Sequence, residues 1–179
     1  MVSIIPRSKT IEDTEKAIQR FLPTKDEDVK TYRVIYAVHE CLPSPSETRF
    51  IGLVTLKSLD VGIHLVLPES LTLPESAAAT TLTVELAYGL LPSAWGNSYA
   101  TEALNAVFEA CKRARDFWEP FQKVYVRVIV NGGNPSSLRV MEKIGVERKG
   151  IFKWTGRIWL AGGWREEDDL HIFGFYLLE

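Results

Sequence analysis

Apolar and polar positions along the chain alternate between two periods, and the changes of period mark out its elements. Val2 to Ile5 reads as a short strand closed by Pro6. Ile11, Ala17, Ile18, Phe21 and Leu22 share one helical face, and Pro23 follows them. After a charged loop over residues 25–30, Tyr32 to Val38 is dense in aromatic and β-branched residues and predicts a strand. Leu42 to Ser46 carries two prolines and reads as a loop. Arg49 to Leu56 predicts a second strand, antiparallel to the first. Residues 57–79 are less regular: Val61 to Leu67 is read as an added strand. The rest, with Pro68, Pro74 and an alanine run, is read as a surface excursion. Strand character returns over Thr81 to Leu91, and Pro92 to Asn97 forms a turn. Tyr99 to Phe117 predicts a helix, since Ala103, Leu104, Val107, Phe108, Cys111 and Ala114 keep helical spacing. Pro120 lies just beyond it.

Lys123 to Val130 alternates strictly. Val124, Val126, Val128 and Val130 take one face, and Tyr125, Arg127 and Ile129 the other, which is strand periodicity. Asn131-Gly132-Gly133 ends that strand. Asn134 is a good helix cap, and Pro135 suits the first helical position. The helix runs to about Lys143, with Gly145 as its stop. Ile158 to Leu160 and Leu170 to Leu178 close the chain as two or three strands. No linker, repeat or low-complexity tract divides the chain, so residues 1–179 are read as a single domain. The order predicts an antiparallel meander followed by a right-handed β-α-β unit. The fold class is α/β (α+β), a mixed, mostly antiparallel twisted sheet with helices packed on it.

Composition narrows the function classes. Of 179 residues, 46% are hydrophobic and 25% charged, with a net charge of -2. No global basic field would draw the chain to nucleic acid or to an acidic membrane. The short basic cluster Lys112-Arg113-Ala114-Arg115 suits the C-terminal end of its helix. Cys41 and Cys111 form no disulfide framework, and His39, His64 and His171 lack metal-ligand spacing. The expectation is a cytoplasmic protein without a bound metal, nucleic-acid partner or membrane span.

Two segments carry chemistry. In Glu85 to Ala103 a strand runs through a turn of small and polar residues directly into a helix. The first N–H groups of a helix lack internal partners and favour an anion, and small residues admit a phosphate to the backbone. The segment reads either as a pyrophosphate cradle or as an ordinary turn capped by Asn97 or Ser98. The second segment, Asn134 to Gly145, opens with a polar cap and closes with glycine. By itself it reads as an amphipathic helix with Leu138, Met141 and Ile144 in the core.

Together and in this order, the two segments resemble the GNAT superfamily of N-acetyltransferases. The resemblance is strongest to its ribosomal-protein N-terminal acetyltransferase branch. The matching residues are Glu85-Leu86-Ala87-Tyr88, Trp95-Gly96-Asn97-Ser98-Tyr99-Ala100-Thr101-Glu102-Ala103, Asn134-Pro135-Ser136-Ser137 and Met141-Glu142-Lys143-Ile144-Gly145. Asp169, four residues before Phe173, resembles the branch's acid in the last strand pair. The resemblance covers residue 30 to the end and implies the acyl-CoA N-acyltransferase fold, with helices on both faces of the sheet. It also implies transfer of acetyl from acetyl-CoA to a primary amine, a peptide N-terminus or a small molecule, by direct attack in a ternary complex. The alternative is an acyl-CoA-binding module without turnover.

Site roles follow from the resemblance. Glu85 is the candidate base, Ser137 the candidate contact to the CoA sulfur, and Asn134 both cap and pantetheine contact. Gly89, Leu90 and Leu91 would offer backbone to pantetheine at a bulge. Gly96, Asn97, Ser98, Tyr99, Ala100 and Thr101 would cradle the pyrophosphate. Two departures stand out: Ser98 replaces the second loop glycine, and Met141 replaces the frequent tyrosine acid. The segment before the first confident strand is also short for the family, and the resemblance then leads to the expectation of a trimmed or rearranged acceptor cleft. Trp154, Trp159 and Trp164 read as core or edge packing, or as an acceptor wall. A homodimer through the last strands is expected by family analogy.

Overall fold

A computed structural model describes residues 8–19, 32–44, 47–59, 64–78, 80–160 and 163–179. The elements are α1 (Ile11–Gln19), β1 (Arg33–Cys41), β2 (Thr48–Ser58), α2 (Glu75–Ala78), β3 (Thr81–Leu90), α3 (Tyr99–Arg113), β4 (Lys123–Asn131), α4 (Pro135–Lys143), β5 (Arg148–Leu160) and β6 (Gly163–Leu178). Short 3-10 turns lie at Glu69–Leu71, Pro92–Ala94 and Arg115–Trp118. The strands form one sheet in the order β1-β2-β3-β4-β6-β5. Every neighbouring pair is antiparallel except β3 and β4, which run parallel around α3. This is the mixed, mostly antiparallel sheet with a central β-α-β unit that the periodicity predicts.

The valine alternation sets the layers. Val124, Val126, Val128 and Val130 enter the main core with Val84 and Leu86 of β3. Leu104, Val107, Phe108 and Cys111 of α3 and Met141 of α4 join the same cluster, so both helices cover one face. The opposite face carries a smaller cluster of Leu67, Leu170 and Ile172, with Leu65, Leu71, Ile129, Phe152 and Trp154 against it.

Several expectations change here. Residues 64–68 have no regular structure, so a strand through Leu67 does not form over them. The surface excursion expected after Leu67 is seen, since no described side chain from Pro68 to Ala77 is buried, but the stretch from Leu65 to Leu71 also covers the second face of the sheet with its leucines. Its apolar residues meet a sheet face rather than a strand edge, which periodicity alone does not reveal. The helix expected to reach Phe117 ends at Arg113, and a 3-10 turn buries Trp118 with its indole donating to the Cys111 carbonyl at 3.0 Å. The closing strands are two, and β5 begins at Arg148, ten positions before Ile158. Its first half alternates too weakly to read as strand because it lies at the sheet edge, with Ile151 exposed. The strand expected at Val2 to Ile5 and the helix end at Leu22 lie outside the described residues.

Candidate functional site

The parallel pair places the site. β3 and β4 pair from Thr81–Lys123 to Leu86–Val128 and then stop, although β3 continues to Leu90 and β4 to Asn131. On its other side β3 stays in register with β2 to Gly52–Leu90. The sheet therefore opens between β3 and β4 beyond Leu86, and the β3 edge there has no ladder partner. The opening needs no bulge in β3, contrary to the expectation for Gly89 to Leu91. Gly52 allows it: a Cβ there would lie 2.2 Å from the Gly89 carbonyl oxygen. Of the three expected pantetheine contacts, Leu91 already donates its N–H to Ile51 at 2.8 Å, and the Leu90 carbonyl accepts the Trp95 indole N–H at 2.9 Å.

The loop after β3 leads straight to α3. Gly96 and Ser98 both have positive φ, 80° and 63°. Ser98 sits at the N-cap of α3 and makes no side-chain cap, and the first helical bond runs from Glu102 N–H to the Ser98 carbonyl. The N–H groups at the start of α3 are therefore uncapped, as an anion cradle requires. Asn97 is not the cap either, because its amide donates to the Trp95 carbonyl at 3.1 Å. The Tyr99 hydroxyl donates to Glu40 of β1 at 2.7 Å, and Arg49 of β2 pairs with the same carboxylate. These hydrogen bonds hold the Glu40 carboxyl below its usual range and push the Tyr99 phenol up. They also anchor the first turn of α3 to the sheet.

On the other side of the opening, β4 leads into α4. Asn134 caps α4 by accepting the Ser137 N–H at 3.1 Å, and Ser137 is buried. Gly145, φ 71°, ends α4 with bonds from Val146 N–H to Met141 and from Gly145 N–H to Glu142, a Schellman stop. Met141 is fully buried in the main core.

Glu85 has a different environment from that of a free base. Its Oε2 accepts from Arg127 Nη2 at 2.6 Å and from Nε at 3.2 Å. Arg127 is buried and also donates to the Leu65 carbonyl at 3.1 Å. The carboxylate thus balances a guanidinium inside the sheet, on the face away from α3. Sequence reasoning missed this partner, although Arg127 as the single charge inside the valine strand was its visible signal. It also missed Asn131, fully buried at the tip of β4, whose amide donates to Asp168 at 2.5 Å. Asp169 itself is exposed. Trp154 packs in the second cluster, whereas Trp164 is exposed with Arg157 over its ring at 4.6 Å. The side chain of Trp159 lies outside the described set.

A family model described as an acetyltransferase (GNAT) domain matches residues 1–147. The chain belongs to the GNAT acetyltransferase family. As a GNAT enzyme it transfers acetyl from acetyl-CoA to an amine. Among solved structures, it resembles spermidine N-acetyltransferase from Vibrio cholerae in complex with CoA and spermine. That match has a TM-score of 0.59 and 14% identity over 98% of this chain and 80% of that one. A second structure of that enzyme, with manganese ions, gives 0.57 and 14% over 95% and 76%. At these identities the likeness speaks for the fold. No curated protein matches the sequence. Among the described residues no helix is long and apolar enough to cross a membrane, and no group of three metal-ligating side chains occurs.

The residues fit acetyl-CoA. The uncapped start of the fifteen-residue α3 would hold the pyrophosphate, and the backbone of β3 beyond the end of the β3–β4 ladder would line the pantetheine arm. When bound, acetyl-CoA supplies the activated acyl carbon and a thiol leaving group. The chain's part is to hold the donor straight, exclude water and handle protons.

Proposed function

We propose that this GNAT enzyme acetylates a primary amine carried by a small cationic molecule or a peptide N-terminus. The observation that carries the reading is the opening of the sheet between two strands that each lead into a helix start, one uncapped for an anion, the other bearing Ser137. In this reading Gly96 to Thr101 receive the pyrophosphate, Gly89 to Leu91 flank the pantetheine, and Asn134 orients Ser137 toward the sulfur. The acids Glu166, Glu167, Asp168 and Asp169 at the start of β6 favour a cationic acceptor. The spermidine enzymes of like fold point the same way, while the motif resemblance to the ribosomal-protein branch favours a peptide α-amine. Glu85 takes the amine proton only if it does so while paired with Arg127. The second reading, acyl-CoA binding without turnover, draws on that pairing and on Met141 in the core. A homodimer along β5, one of the two edge strands of the sheet, completes the proposal, and sedimentation measures it.

The test is calorimetric titration with acetyl-CoA, with Ser98→Glu as control, followed by acetyl transfer to spermidine and to a panel of peptide N-termini. The expected result is one-site binding, weakened at least tenfold in Ser98→Glu with the fold intact, and turnover of one acceptor class. Binding without turnover across the panel would establish the second reading. Absence of binding to folded wild type would remove the proposal.

A further inference from the structure

We propose that Tyr88 is the proton donor to the departing CoA thiolate, replacing from β3 the acid that α4 lacks at Met141. This rests on the acetyl transfer proposed above, but not on which amine accepts.

Four observations meet at this side chain. Tyr88 lies in the part of β3 beyond Leu86, where the ladder to β4 has ended. Strand alternation puts it on the same face as Val84 and Leu86, and it packs against the main core, which includes Met141. Its hydroxyl is buried and makes no hydrogen bond of ordinary geometry. Across the opening, Ser137 at the start of α4 is near enough to act on it: burial pushes the phenol above its usual value, and Ser137 opposes that rise. Buried polar groups in native proteins are seldom left unpaired, and an exception calls for an explanation.

Other hydroxyls do not compete. Tyr32 donates to the Glu119 carbonyl and Tyr99 to Glu40, so both are engaged in the fold. Thr81 and Ser58 are also buried and unpaired, but Thr81 begins β3 at the closed end of the parallel pair. Ser58 sits across from Val84, within the closed ladder. Tyr88 alone among these orphaned hydroxyls lies at the opening, facing the helix start expected to meet the sulfur.

The step balances without a further reactant. The amine nitrogen bonds to the thioester carbonyl carbon, and the C–S bond breaks with its electron pair passing to sulfur. The Tyr88 phenolic proton goes to that sulfur, and the proton shed by nitrogen restores the phenol. One proton has then moved from nitrogen to sulfur. A phenol kept protonated by burial suits this role, and Ser137 can hold its orientation before the donor arrives.

The test compares CoA with desulfo-CoA, which lacks the sulfur, on wild type and Tyr88→Phe by calorimetry. Thermal melting runs in parallel. A hydrogen bond from Tyr88 to sulfur predicts that wild type prefers CoA on the order of fivefold and that Tyr88→Phe binds both alike. Because the hydroxyl makes no hydrogen bond of ordinary geometry among the described residues, Tyr88→Phe should melt close to the wild-type temperature or above it. With an accepted amine, kcat should fall on the order of a hundredfold at unchanged KM for acetyl-CoA. An acetyl thioester of a more acidic thiol should restore part of that loss, because a better leaving group needs less help. A wild type indifferent to the sulfur would overturn the inference, as would a CoA preference that survives in Tyr88→Phe. A wild type that binds neither ligand would instead overturn the cofactor site itself, a separate failure.

Discussion

At the scale of single residues, the ion pair of Glu85 with Arg127 changes the meaning of a catalytic candidate. Arg127 is almost wholly buried, and Glu85 is 30% exposed, so the pair is asymmetric. Removing the charge from the accessible partner leaves the inaccessible one unbalanced, and uncompensated buried charges are costly. Glu85→Gln should therefore lower stability by about 2 kcal/mol, reduced from the fully buried case because Glu85 reaches solvent. Replacing both partners by Leu and Met should recover most of the loss, as buried pairs exchanged for apolar residues often do. Chemical denaturation of the two variants beside wild type measures this, and an unchanged Glu85→Gln would mean that Arg127 has another counter-charge. Ser98 is the second case. Its φ of 63° is a conformation that glycine adopts freely and serine does not. Ser98→Gly should gain up to about 1 kcal/mol while keeping acetyl-CoA affinity. A loss of stability would show that the serine side chain makes a contact worth more than the backbone strain.

At the scale of elements, the fold was legible wherever a periodic face met a large core. The valine strand, the Asn134 cap and the Gly145 stop appear as the residues predict, because each depends on chemistry within a few positions of the chain. The 64–71 stretch was not legible, because Leu65, Leu67 and Leu71 find a sheet face made by strands far along the sequence. The start of β5 escaped for the same reason: it is held by pairing to β6. The site divides likewise. The uncapped start of α3 and the capped start of α4 were visible as local motifs, but the Arg127 partner of Glu85 and the Tyr88 hydroxyl without an ordinary hydrogen bond depend on strand pairing. The β2–β3 contact is such a long-range dependence. Gly52→Ala would force its methyl against the Gly89 carbonyl and should cost about 1–3 kcal/mol as overpacking. Because the displaced backbone flanks the opening, acetyl-CoA affinity should fall more than tenfold at temperatures where the variant stays folded. Calorimetry beside thermal melting separates the two effects, and unchanged affinity would mean that the β3 tip does not hold the cofactor.

At the scale of the whole molecule, burial sets an alkaline limit. Desolvation raises the phenols of Tyr36, Tyr88 and Tyr125 above their usual 10.0 and the thiol of Cys111 above its usual 9.0. The unfolded chain releases these protons at the usual values and the folded chain only later. Over that interval the folded state binds more protons, so stability falls as pH rises. The contribution is complete below the thiol's usual 9.0 and declines above it, more steeply past 10.0. Melting temperatures between neutral and strongly alkaline pH should show that decline, and a flat profile would contradict the burial of these groups. The opening between β3 and β4 has a consequence at this scale too. Where the ladder between two strands ends, hydrogen bonds no longer seal one face of the sheet from the other, as at a slot in a partition. Reactants that meet in such a slot can arrive by separate doors, so a bulky acceptor need not be threaded past the nucleotide end of the donor. Under the proposed function, the side that would recognise the amine is then free to diverge while the side that would hold the nucleotide stays as it is.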